Sequence, residues 1–136
     1  MPIRDIPFTD GHAFLDIRII NPDNQQDVFT RALVDTGAGA CAFSADIATI
    51  LGLNLTKGIK HEDIGTGGGN VTGYGHSTVI EILDSNKRVL YTTKKIQAIY
   101  LPNLTGSLLG VHGFLENFHL HIDYPRKQFS IYKPRP

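Results

Sequence analysis

The sequence predicts an all-β fold with one or two short helices, and three of its features carry that expectation. Short runs alternate apolar and polar residues with a period of two, as half-buried strands do. Clusters of turn residues separate those runs, among them Asn21-Pro22-Asp23-Asn24 and Asp84-Ser85-Asn86-Lys87. Helical spacing of apolar residues is confined to the stretch after Ser44 and to a short stretch around Phe114.

Taken in order, Leu15, Ile17 and Ile19 face one way and Asp16 and Arg18 the other, so 15–19 reads as a strand. The turn at 21–24 returns the chain into a second strand over Val28 to Val34, giving a hairpin. Ser44 is placed to cap a helix that carries Ile47, Ile50 and Leu51 on one face, and Gly52 falls where a left-handed C-terminal cap belongs. Ile64 and the cluster Gly65-Thr66-Gly67-Gly68-Gly69 lead into Val71 to Leu83, which reads as a long hairpin with a glycine-rich tip. A turn at 84–87 joins it to Val89–Tyr91. Strands are expected at Ile96–Leu101, Leu120–Ile122 and Phe129–Tyr132, with a single helical turn around Phe114, Leu115 and Phe118.

With 136 residues the chain is expected to be one domain, 1–136, able to bury roughly two-thirds of its unfolded surface. Apolar residues at 41% and charged residues at 19% exclude a disordered composition. Thirteen basic residues balance thirteen acidic ones without long like-charge runs, which argues against nucleic acid and anionic membranes as partners. No apolar run approaches the roughly 20 residues that span a bilayer. Cys41 is the single cysteine, and Met1-Pro2-Ile3-Arg4-Asp5 lacks the apolar core of a secretory signal, so a reducing cytoplasm is the expected location.

The chemistry centres on Asp35-Thr36-Gly37. Carboxylates hydrolyse a peptide bond when two lie close together, one ionised to take a proton from water and one protonated to donate to the carbonyl oxygen. Like charges at that distance cannot both ionise, so the pair shares a proton and activity is expected on the acid side of neutrality. A carboxylate in this role needs a fixed turn. Asp35 follows the apolar run Ala32-Leu33-Val34, Thr36 offers a hydroxyl for local hydrogen bonding, and Gly37 lets the backbone N–H approach the carboxylate. The tripeptide alone reads as a strand-ending turn, since all three residues are common in turns.

The surrounding residues resemble the retropepsin-like aspartic peptidases. Leu33-Val34-Asp35-Thr36-Gly37-Ala38 is similar to their active-site strand and turn. Leu108-Leu109-Gly110, followed by Phe114-Leu115 and Phe118, looks like their second hydrophobic-hydrophobic-Gly segment and short helix. The resemblance spans about Phe14 to Tyr132. It implies a closed acid-protease-like barrel with a flap hairpin, matched in position by Ile64 to Tyr74, with Ile64, Gly65, Thr66, Gly67, Gly68 and Gly69 over bound substrate. It also implies a homodimer in which each subunit gives one Asp35, braced by Thr36, and in which a peptide or protein substrate lies extended between flap and floor. Only one Asp-Thr-Gly occurs in the chain, in keeping with two copies meeting about a two-fold axis. Cys41 and the segment Val111-His112-Gly113 depart from the family pattern.

Other chemistries fit less well. Phosphate-cradling patterns cannot be laid on Gly65 to Gly75, and no strand-to-helix step follows them. His119 and His121 share one face of a strand but have no carboxylate partner at ligand spacing, so they read as a solvent-facing strand, and neither metal nor cofactor is expected. Cys41 reads as a small packed residue. The rival functions are a non-catalytic module of the same fold that dimerises and binds an extended peptide or partner protein, and a half-site completed by a different chain.

Overall fold

The computed structural model describes residues 2–66 and 69–135. Alternation decides the first barrel strand, β2 (Phe14–Ile20), which follows a terminal strand β1 (Pro2–Pro7). Leu15, Ile17 and Ile19 are buried and Asp16 is exposed. In the turn that follows, Asn21 Oδ1 accepts from the Asp23 N–H (3.0 Å) and Asn24 Oδ1 from the Gln26 N–H (2.9 Å). The chain is thereby returned as β3 (Asp27–Val34), antiparallel to β2 from Phe14↔Leu33 to Ile20↔Asp27.

Strands β4 (Ala42–Ser44), β5 (Ile59–Thr66), β6 (Gly69–Leu83), β7 (Val89–Thr92), β8 (Ile96–Leu101) and β9 (Ser107–Leu109) follow. The sheet runs β2-β3-β9-β4-β8-β6, and β6 pairs back onto β2 from Ile17↔Ile82 to Ile20↔Val79, so six strands close into a barrel. Closure removes the unpaired edges of those strands. Arg18 clamps the closing seam, its Nε 2.5 Å from Asp27 on β3 and its Nη1 2.9 Å from Glu81 on β6. Strand β5 extends β6 into the long hairpin, and β7 lies on the other end of β6. Ile17, Ile19, Phe43, Ile80, Ile82, Tyr100, Leu109 and Phe114 fill the interior.

One α-helix, α1 (Ala45–Ile50), covers the barrel. The Ser44 hydroxyl accepts from the Ile47 N–H (3.3 Å), and Gly52 sits at φ +70° just past the end. Ala48 and Leu51 are buried, but Ile50 is 54% exposed, against the expectation that it shares the buried face. At about 100° per residue, 47, 48 and 51 cluster on one side and 50 turns outward. A 3-10 turn at Leu55–Lys57 follows α1, and the helical turn expected around Phe114 is a 3-10 turn at Leu115–Asn117.

The C-terminal hairpin, β10 (His119–Asp123) and β11 (Gln128–Tyr132), gains a third member that the sequence pattern did not reveal. Strand β1 pairs antiparallel with β11, giving a small sheet in the order β1-β11-β10. No helix among the described residues is long and apolar enough to cross a membrane.

Candidate active site

Asp35 stands where β3 leaves the barrel. Strand β3 runs parallel to β9, with Leu33↔Leu108 and Val34↔Leu109 in register, and the Asp35 N–H donates to the Leu109 carbonyl at 3.0 Å. The chain then turns sharply. Ala38 N–H donates to the Asp35 carbonyl (3.1 Å) and Gly37 N–H to the Asp35 carboxylate oxygen Oδ1 (3.0 Å). A Cβ on Gly37 would lie 3.3 Å from that oxygen, so glycine keeps the carboxylate seated against the turn. Asp35 is half-buried, while Thr36 and Gly37 are exposed.

The turn is held from below by the segment after β9. Val111 N–H donates to the Ala38 carbonyl (2.9 Å), His112 N–H to the Gly39 carbonyl (2.8 Å), and Leu115 N–H to the Gly110 carbonyl (3.0 Å). Gly110 makes this crossing possible: a Cβ there would run into the Ala40 backbone and come within 2.8 Å of the Ala38 oxygen. Cys41 continues the turn, its carbonyl accepting from the Ile99 N–H (2.9 Å). Sequence elements seventy residues apart therefore fix one carboxylate through backbone hydrogen bonds, which specify geometry independently of side-chain rotamers.

Beside the turn lies a cleft of about 490 Å³. Gly37, Ala38, Gly39, Ala40 and Ala42 form one side, Ile99, Leu101, Leu104 and Leu108 the other, and Ile64 of the long hairpin reaches over it. The described lining carries no charged side chain. Gly73 of β6 backs this wall: a Cβ there would fall 2.6 to 2.9 Å from Leu101, Ile99 and Ile64. Sequence reasoning assigned Ala40, Ala42, Ile99, Leu101 and Leu104 no role. A signal was present in the run Ile96-Gln97-Ala98-Ile99-Tyr100-Leu101, which is apolar on both faces from Ala98 onward and therefore meets something besides the core.

The structure brings Asp35, Thr36, Gly37, Ala38, Leu108, Leu109, Gly110 and Ile64 to one place, joined through the hydrogen bonds and the cleft above. Gly65 and Thr66 pair with Asn70 and Gly69 across the hairpin, while Gly67 and Gly68 lie outside the described residues. Burial pushes the Cys41 thiol up to about 11, partly countered by the Gly110 N–H, so at neutral pH it is a packed thiol and a poor nucleophile. Burial likewise raises the Tyr100 hydroxyl to about 12, against the opposing hydrogen bond from Thr78. His112 is exposed beside the turn, its Nδ1 3.4 Å from Glu116 Oε2. His119 and His121 are exposed on β10, and no group of three potential metal ligands occurs among the described residues.

Among solved structures, a retropepsin-like aspartic protease from Rickettsia conorii aligns with 97% of this chain and 98% of its own at 25% identity and a TM-score of 0.69. This is the retropepsin-like aspartic protease fold. The EIAV protease complexed with the inhibitor HBY-793 aligns with 73% of this chain and 81% of its own, at 22% identity and a TM-score of 0.44. No family model and no curated protein matches the sequence. In the retropepsin-like barrel of this chain, the Asp35 turn and the Gly110 crossing are its central feature, lying where β3 and β9 run parallel.

Proposed function

We propose that the chain, as one domain over 1–136, is an aspartic endopeptidase that acts as a homodimer. A water molecule between two Asp35 carboxylates attacks the peptide carbonyl. One carboxylate takes a proton from that water while the other donates to the carbonyl oxygen, and the pair is restored when the leaving amine is protonated. The observation that carries this reading is the seat of Asp35: a lone carboxylate locked by backbone bonds at the mouth of an uncharged cleft, next to the exposed Thr36. A single carboxylate is half of such a site, and a two-fold axis beside Thr36 supplies the other half. Thr36 braces the two turns against each other. The β5–β6 hairpin acts as the flap, its edge pairing with extended peptide and its closure excluding water. The single buried Cys41 fits a reducing cytoplasm.

The deciding experiment is Asp35→Asn, assayed with a peptide library at acidic and neutral pH, with pepstatin as the inhibitor control. Asparagine retains the oxygen that accepts from Gly37, so fold and assembly should persist. Turnover should fall roughly a hundred- to ten-thousand-fold. A variant that cleaves as fast as the parent would sink the reading. Peptide binding without cleavage by the parent would favour a non-catalytic module.

A further inference from the structure

The apolar wall of the cleft does not end at Ile99. On β8, Leu101, Ile99 and Gln97 point to one side, as alternate residues of a strand do. The glycines of β6 bear this out: a Cβ on Gly73 would meet Leu101, Ile99 and Ile64, and a Cβ on Gly75 would meet Gln97 Oε1 at 2.9 Å and His61 Nε2 at 3.3 Å. The face that is apolar beside the Asp35 turn therefore becomes polar one strand step further along. There His61 of β5 and Gln97 of β8 flank β6, and both are exposed.

Gly75 is buried beneath the pair, and its missing Cβ lets the imidazole and the amide lie against the strand. Gln97 Nε2 donates to Ser77 Oγ (3.4 Å), which turns its Oε1 toward Gly75 and His61. Lys60 and Glu62, the chain neighbours of His61, pair with each other at 2.9 Å, so their charges are already matched. On the reverse face of the same strands the polar groups are satisfied internally: Thr78 Oγ1 lies 2.9 Å from the Tyr100 hydroxyl, and His76 Nε2 lies 2.9 Å from the Leu55 carbonyl oxygen. The open face thus offers an acceptor, Gln97 Oε1, next to an imidazole nitrogen, His61 Nε2. That pairing fits a primary carboxamide, which donates an N–H to Gln97 and accepts from the His61 N–H through its carbonyl. A carboxylate has no proton to give Gln97, and an apolar group answers neither.

We infer that His61 and Gln97 form a polar subsite that selects a glutamine-type carboxamide in the substrate, two residues from the apolar side chain held in the cleft. The inference rests on the peptidase reading above and names its substrate class. Alternate side chains of an extended peptide stand about 6.6–6.8 Å apart, the same repeat that separates Ile99 from Gln97 along β8. A side chain seated against Ile99 therefore carries the next same-facing one to Gln97 and His61. A site built to hydrogen-bond a substrate group discriminates against an analogue that lacks it, because its own polar atoms are then left unpaired.

Starting from one peptide that the parent cleaves or binds, each position two residues from an apolar residue is set in turn to Gln, Glu and Met, which are close in length, and kcat and KM are measured separately. At one such position Gln should give a kcat/KM about tenfold above Met, carried by KM, with Glu between them. His61→Leu and Gln97→Leu alter exposed side chains, so both should melt with the parent, and each should turn the preference toward Met, a reversal that loss of structure would not produce. Gly75→Ala, whose Cβ lifts both side chains off the strand, should flatten it. Gln and Met cleaved alike at every such position, Glu favoured over Gln, or a preference that survives in both leucine variants would overturn the subsite. Fluorescence polarisation of the same three peptides, labelled, on Asp35→Asn protein separates this inference from the peptidase reading. Carboxamide-selective binding with no cleavage by the parent would keep the subsite and remove the peptidase, whereas cleavage without selectivity would keep the peptidase and remove the subsite. A protein that neither cuts nor binds any of the three would remove both.

Discussion

Replacing Gly110 by alanine tests the crossing on which the Asp35 turn depends. The added Cβ would collide with the Ala40 backbone and sit 2.8 Å from the Ala38 oxygen, so the clash is with main chain, which cannot rotate away. The turn must lift off the segment after β9. Overpacking of this kind costs about 1–3 kcal/mol. Lifting also weakens the bonds from Val111 to Ala38 and from His112 to Gly39, each worth about 0.5–1.5 kcal/mol. Together the loss is roughly 2–6 kcal/mol, a large share of the roughly 5–15 kcal/mol that holds a domain folded. For a chain of this size that is a fall in melting temperature of roughly 6–30 °C. Gly37→Ala is the matched control, since its Cβ meets only the Asp35 carboxylate at 3.3 Å. It should cost less than about 1 kcal/mol while slowing cleavage by displacing the carboxylate. Thermal unfolding followed by circular dichroism compares the two. A Gly110→Ala protein that melts with the parent would refute the packing of the turn on 110–112.

Two further outcomes follow from the cleft and the core. Gly73→Ala should push Ile64, Ile99 and Leu101 into the cleft, raising KM for peptide several-fold with little change in melting temperature; an unchanged KM would mean that the wall does not contact substrate. Burial raises the Cys41 thiol from 9.0 to about 11, so the folded state favours the protonated form. The associated stability is intact below pH 9 and is lost as pH climbs towards about 11, by about 2–3 kcal/mol. Denaturant unfolding across that window should show a smaller alkaline loss in Cys41→Ala than in the parent, and parallel curves would contradict the burial of the thiol.

The parts of the fold legible in the sequence are those decided locally. Alternation identified β2 and β3, and the apolar run Ile96–Leu101 coincides with β8 because its flanking turn residues mark its limits. The Asp35 turn was legible for the same reason: its glycine, hydroxyl and carboxylate act within three residues. Strand β1 was not, since its prolines and bulge mask the period of two and its partner is Gln128–Tyr132, more than 120 residues away. Strand β4 is three residues long and exists only through its parallel pairing with β8 and its contact with β9. Ile50 was misplaced because α1 stops at that residue, with Leu51 as its C-cap and the Leu53 N–H bound to the Ala48 carbonyl. The cleft lining was illegible because Ala40, Ala42 and Leu104 converge on it from loops and from a strand too short to show a pattern.

Strand β6 is fifteen residues long, and its ladders change partner along the way. From Tyr74 to Thr78 it is tied to β8, and from Val79 to Ile82 to β2, whereas from Gly69 to Gly73 its only strand partner among the described residues is β5. Mechanically the hairpin is a cantilever, clamped into the barrel wall over two-thirds of that strand and free over the outer third. Its pivot falls at Gly73–Tyr74, directly behind the apolar wall of the cleft. Bending there would rock the roof and shift the wall in the same stroke, so the volume offered to a side chain and the height of the roof above it are geared to each other.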